Sequence, residues 1–227
     1  MIVYGKQVCK LLLQRHPELI ERVLLAKELP KKEFAAIAAA KRPVERVDAK
    51  KAQALARGGN HQGWLCEVRP YRYADVADLK RGDFLVVLAG VTDAGNIGAI
   101  IRTAYALGAD GLIAAGVNQL ASEAVIRTSA GAMYDLPVAV EKNLATLLNE
   151  LKQSGFTLYG ADMHGTPIDE VKVASKRVLV LGSEGEGIAK KALQKLHERV
   201  TIPMKRPFDS LNVSAAAAIL IYRMGNV

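Results

Sequence analysis

The sequence predicts an α/β protein: a C-terminal parallel sheet covered by helices, preceded by a smaller α/β unit. Three observations carry this. Short continuous apolar runs, Phe84-Leu-Val-Val-Leu-Ala89, Gly111-Leu-Ile-Ala-Ala115 and Val178-Leu-Val-Leu181, have the length of strands buried on both faces. Helical patterns, Ile97 to Leu107 and Leu144 to Lys152, lie between such runs, and strand alternating with helix means a parallel sheet. Finally, the chain changes character near residue 70. Residues 1–70 hold 14 Lys or Arg against 7 Asp or Glu, so nearly all of the formal net charge of +8 sits in the first third.

In order, Tyr4 to Gln14 carries Val8, Cys9, Leu11, Leu12 and Leu13 at helical spacing. Ile20 to Ala26 reads as a strand and Lys32 to Ala40 as an alanine-rich helix. Val44 to Asp48 alternates like a strand, and Asp48 is placed to cap a helix through Ala56. Gly58-Gly-Asn-His-Gln-Gly63 breaks the pattern before a strand at Trp64 to Val68. The expected organisation is a small unit at 1–70, a linker at 71–81 and a larger unit at 82–227. In the larger unit, Val91 to Asn96 is expected as a loop. Ser122 to Thr128 is read as a helix, with strands at Pro137 to Val140, Phe156 to Gly160 and Val200 to Ile202. Ser210 or Asn212 is placed to cap a last helix reaching about Met224.

Several chemistries are excluded. There is no Gly-x-x-x-x-Gly-Lys-Ser/Thr and no Gly-x-Ser-x-Gly. The glycines at 182, 185 and 187 do not follow Gly-x-Gly-x-x-Gly. Cys9 and Cys66 lie 57 residues apart without paired histidines, so no metal site or disulfide framework is expected; they read as buried thiols of a cytoplasmic protein. The first ten residues lack the pattern of a secretory signal, and no segment approaches the ~18–20 uninterrupted apolar residues of a membrane span. His16, His164 and His197 are scattered and read as structural. The basic N-terminal third points to a polyanionic partner, nucleic acid first, with a merely solvated surface as the plain alternative.

Three stretches hold the candidate chemistry. Asn96 stands at the start of an apolar helix in which Arg102 is the one cation. An arginine there is costly to bury unless it is paired or meets a ligand, although it can also snorkel beside the apolar face. Leu181-Gly-Ser-Glu-Gly-Glu-Gly187 is a glycine loop too acidic to cradle phosphate and suited to a ligand neutral or cationic near its centre. Arg127-Thr-Ser-Ala-Gly-Ala132 is a small-residue loop with a basic entrance, or simply a helix end.

Asn96-x-Gly-x-x-x-Arg102, Leu179-Val-Leu-Gly-Ser-Glu-Gly-Glu-Gly-Ile188 and Ile202-Pro-Met…Asp209-Ser-Leu-Asn-Val-Ser-Ala-Ala216 resemble, in order and spacing, the three motifs of the SpoU (TrmH) family. These are S-adenosylmethionine-dependent RNA ribose 2′-O-methyltransferases of the SPOUT class. The likeness covers about residues 82–227. The N-terminal unit is similar to the family's substrate-binding domain of L30e-like fold, with Tyr4-Gly5 and His61-Gln62-Gly63 fitting. The resemblance implies a C-terminal trefoil knot and a homodimer. It also implies a ribose of RNA as methyl acceptor, first a guanosine of large-subunit (23S) ribosomal RNA. Transfer RNA is an alternative, as is a non-catalytic RNA-binding or ribosome-assembly protein that keeps the knot. Carried over, Asn96, Arg102, Glu184, Ser210 and Asn212 form the catalytic group. Leu181, Gly182, Gly187, Ile202, Met204, Leu211 and Ser214 line the cofactor, and no metal is implied. His61, Gln62 and Arg127 are read as RNA contacts, with a turn role for Gly58 to Gly63 as an equal alternative for the first two. A guanidinium holds its proton to a pKa above ~12, so Arg102 is expected to orient the hydroxyl and its neighbouring phosphate rather than act as a base.

Overall fold

The computed structural model describes residues 1–207 and 210–225. The N-terminal unit runs β1 (Ile2–Tyr4), α1 (Lys6–Arg15), β2 (Ile20–Leu25), α2 (Lys31–Ala39), β3 (Val44–Arg46), α3 (Ala49–Leu55) and β4 (Trp64–Val68). Its sheet has the order β1-β4-β2-β3, antiparallel except for the β2–β3 pair. The helix expected from Tyr4 starts two residues later. Gly5, at φ +106°, turns the chain, and Tyr4 belongs to a strand paired with Leu65. Val8, Cys9, Leu12 and Leu13 form the buried stripe of α1. Asp48 caps α3 by accepting from the Lys51 N–H at 2.7 Å. Cys9 and Cys66 are free, buried and in contact; burial, then the neighbouring thiol, pushes the Cys9 pKa up.

The larger unit follows as α4 (Val76–Leu79), β5 (Phe84–Ala89), α5 (Ala94–Ala106), β6 (Gly111–Ala115), α6 (Ser122–Thr128), β7 (Val138–Glu141), α7 (Leu144–Gln153), β8 (Thr157–Pro167), β9 (Arg177–Gly182), α8 (Lys190–Leu193), β10 (Glu198–Thr201) and α9 (Val213–Gly225). All pairs in the sheet β10-β8-β9-β5-β6-β7 are parallel, and β5 and β9 lie at its centre. These two strands read as unbroken apolar runs because both faces are covered. Leu85, Val87 and Val180 pack on the α7 side; Val86, Leu88 and Leu179 pack on the opposite side, in one core with α5 and α9. Strand β8 runs past the expected Gly160 to Pro167, and its pairing with β10 shifts register between Arg199 and Val200. No helix among the described residues is long and apolar enough to cross a membrane.

The core on the α5 and α9 side continues into the N-terminal unit through Val3, Val8, Cys9 and Trp64. Polar contacts reinforce this seam. Asp135 takes Arg15 Nη1 at 2.5 Å and His16 Nε2 at 2.8 Å. Residues 71–81, expected as a linker or the first cap of the larger unit, are folded onto that unit. Tyr71 Oη donates to the Met133 carbonyl at 3.0 Å, the Ala74 N–H donates to Val138 at 2.9 Å, and α4 follows.

Helices α5 and α6 meet at Gly98. A Cβ there would strike Thr128 Oγ1 and come within 2.7 Å of the Ser129 backbone nitrogen. A buried methyl with backbone in its way forces a shift, so Gly98→Ala is expected to cost about 1–3 kcal/mol. At ~2–4 °C per kcal/mol for a chain of this size, a thermal melt reads the loss directly.

Candidate active site

The C-terminal ends of parallel strands are where an open α/β sheet leaves a crevice. Three loops converge there. After β5, Gly90 at φ +72° turns the chain toward α5. Helix α5 begins at Ala94, three residues before its expected start, because Asp93 Oδ1 caps it by accepting from the Asn96 N–H at 2.7 Å. After β9, the loop folds back on itself, with the Gly187 N–H donating to the Ser183 carbonyl at 2.9 Å. Gly182 lies flat against the Gly187–Ile188 backbone, where a Cβ has no room. The third loop enters α9 through Asn212, whose Oδ1 accepts from the Ser214 N–H at 2.9 Å and from Ser214 Oγ at 2.5 Å.

The side chains of these loops form one network. Asn96 Nδ2 donates to Glu184 Oε1 at 3.1 Å. Asn212 Nδ2 donates to the same oxygen at 2.6 Å and to Asn96 Oδ1 at 3.0 Å. The amide orientations follow from the pattern: flipping either asparagine would point its carbonyl oxygen at the carboxylate. Glu184 Oε2 accepts no hydrogen bond among the described residues and stays open to a ligand. The site therefore presents a held carboxylate beside backbone-lined walls, an arrangement suited to a cation flanked by neutral groups.

Three of the five expected catalytic residues are thus brought together: Asn96, Glu184 and Asn212. Ser210 is exposed, and Asp209, within the third motif, lies outside the described residues. Arg102 is not part of the network. It is exposed, makes no hydrogen bond or ion pair among the described residues, and stands about 9 Å along α5 from Asn96 on another face. Of the expected cofactor residues, Leu181 is buried, Gly182, Ile202, Leu211 and Ser214 are half-buried, and Gly187 and Met204 are exposed. His61 and Gln62 have local roles. His61 Nδ1 accepts from the Gly63 N–H at 3.0 Å, and Gln62, at φ +54°, accepts the Lys6 N–H at 3.1 Å. The guanidinium of Arg127 lies over the Tyr4 ring, 5.4 Å from its centroid.

Two supporting residues escaped sequence reasoning. Asp93 carried a legible signal, a cap residue just before an apolar helix, but the start was set at Ile97. Thr128 carried none. Its Oγ1 donates to the Ala94 carbonyl at 2.6 Å, tying the first turn of α5 to α6. Removing the cap with Asp93→Ala is expected to cost about 0.5–2 kcal/mol, measurable by chemical denaturation, and to loosen the turn that carries Asn96.

A family model described as SpoU rRNA Methylase matches residues 83–222, and one described as RNA 2′-O ribose methyltransferase substrate binding matches residues 2–74. A Synechocystis protein named an uncharacterized tRNA/rRNA methyltransferase is 35% identical over 194 residues, 80% of this chain and 50% of that one. A namesake in Mycolicibacterium gilvum is 36% identical over 176 residues, 74% of this chain and 56% of its own. The chain spans about half the length of these curated relatives. The crystal structure of the SpoU methyltransferase AviRb from Streptomyces viridochromogenes, in complex with AdoMet, superposes with a TM-score of 0.80 at 25% identity, covering 100% of this chain and 89% of that one. With its larger unit matched along nearly its whole length, the chain belongs to the SpoU rRNA Methylase family.

Proposed function

We propose that this protein transfers a methyl group from S-adenosylmethionine to a ribose 2′-hydroxyl of RNA. The observation that carries the reading is the convergence of Asn96, Glu184 and Asn212, from three separate loops, on one carboxylate oxygen. The residues present fit the cofactor. Gly182 and Gly187 offer backbone without side chains, half-buried Ile202 and Leu211 offer apolar contact to an adenine, and Glu184 offers the carboxylate on which both asparagines converge. When bound, the cofactor supplies an electrophilic methyl on a sulfonium. The chain's part is to hold the hydroxyl in line with that methyl, and positioning of this kind can supply much of the rate.

Within this reading Arg102 is the group that meets the RNA. Its side chain points outward, without a protein partner among the described residues. A guanidinium fork can hold the hydroxyl and an adjacent phosphate together and stabilise the developing oxyanion. Ser210 and Ser214 flank Asn212, with Leu181 and Met204 completing the cofactor wall. The division of labour follows the sheets: residues 1–70 read the RNA, 71–81 connect, and 82–227 hold the chemistry. The RNA is proposed to be a large-subunit ribosomal guanosine, and the compartment the cytoplasm. The relatives' names allow rRNA or tRNA.

The working unit is proposed to be a homodimer with the trefoil knot of the family. Helix α9 packs on α5 and β9 after the chain has left the sheet at its far edge, and it exposes Ile219 at 40% and Tyr222 at 58%. Apolar groups of that size on one helix suit burial against a second copy.

Arg102→Ala should lower single-turnover methylation at least ~10²-fold, the scale of one charge-stabilising group, and leave S-adenosylmethionine affinity by calorimetry nearly unchanged. Arg102→Lys should not restore the rate, because an ammonium lacks the planar fork. A lysine variant with near-normal turnover would remove Arg102 from the catalytic group. Wild-type protein that binds RNA but labels no nucleotide in unmodified total RNA would favour the non-catalytic reading.

A further inference from the structure

We infer that Arg127, held over the Tyr4 ring, registers the RNA gripped by the N-terminal unit onto the catalytic loops. The inference rests on the RNA-methylating reading above and adds the place where the two units grip one strand. Tyr4 belongs to β1 of the small unit, and Arg127 to the last turn of α6 in the large one. Their contact, with the guanidinium carbon 5.4 Å from the ring centroid, spans the seam.

Four features point to a phosphate as the partner of Arg127. It is exposed, and it has no carboxylate partner among the described residues. The neighbouring Arg57, by contrast, is paired with Glu123 at 3.4 Å. A cation–π contact over the Tyr4 ring holds the guanidinium near the ring face without using up its N–H groups, which remain available to a phosphate oxygen. The Gly58–Gly63 turn lies against the same tyrosine: a Cβ on Gly59 would collide with Tyr4 Oη. Any RNA following that turn is therefore led to Arg127.

The next residue makes the connection to the chemistry. Thr128 Oγ1 donates to the Ala94 carbonyl at 2.6 Å, and two residues beyond Ala94 stands Asn96. Gly98 allows the approach by lacking a Cβ where Thr128 lies. A phosphate held by Arg127 thus has a short, hydrogen-bonded path to the turn carrying Asn96. Arg127 acts here on a nucleotide flanking the methylated one and is a positioning residue, with Tyr4 as its platform.

The test uses the full-length protein and an RNA that the wild type methylates. Arg127→Ala should raise the RNA Kd and KM about tenfold and reduce the salt slope of log K by roughly 0.7–0.9, the loss of one phosphate contact. S-adenosylmethionine affinity should not change. Tyr4→Ala should reproduce the RNA effect by freeing the arginine, and Tyr4→Phe should restore binding because the ring face remains. Wild-type KM and salt slope in both Arg127→Ala and Tyr4→Ala, with intact melting curves, would overturn the inference while leaving the methyltransferase reading in place. A wild type that methylates no RNA would remove the reading on which the inference rests. A Tyr4→Phe variant as weak as Tyr4→Ala would also count against it, because the hydroxyl rather than the ring would then matter.

Discussion

One carboxylate oxygen organises the candidate site of this molecule. Glu184 Oε1 accepts from Asn96 and from Asn212, which also bond to each other. The three residues are far apart in the chain, so the interaction can exist only when the β5, β9 and α9 loops stand at one end of the sheet. The parallel arrangement supplies that condition, since β5 and β9 are neighbours and end together. Each asparagine has a second, local hold as well, Asn96 through its backbone N–H and Asn212 through its side-chain Oδ1. Asp93 holds the Asn96 N–H, and Asn212 accepts from Ser214. Backbone capping and side-chain bonding reinforce each other, as satisfied polar networks do.

The fold was legible where periodicity is strong. β5, β6 and β9 announced themselves as apolar runs, and Asp48 and Asn212 are caps in fact as in sequence. Legibility failed where a local signal competed with a tertiary one. Tyr4 reads as helix by its neighbours but pairs with Leu65 across 61 residues. The stretch after residue 70 reads as a linker by its polarity, yet Tyr71 and Ala74 bond to the larger unit through partners that no local pattern reveals.

The candidate site divides in the same way. Asn96, Glu184 and Asn212 follow from the family resemblance, and the hydrogen bonds bring them together. Arg102 was named with them but lies on another face of α5, since six residues along a helix do not return to the same side. His61 and Gln62 read equally as RNA contacts or as parts of a turn, and their hydrogen bonds are those of the turn and of the start of α1. Thr128 could not have been found, because a threonine bonding to a carbonyl 34 positions earlier leaves no mark on the sequence.

The spread of the network along the chain has a consequence for synthesis. Asn96 and Glu184 are made before Asn212, and the two bonds that Asn212 adds wait until α9 docks on α5 and β9. The hydrogen-bonded group at the end of the sheet is therefore completed last, and its closure marks the docking of the final helix onto the larger unit.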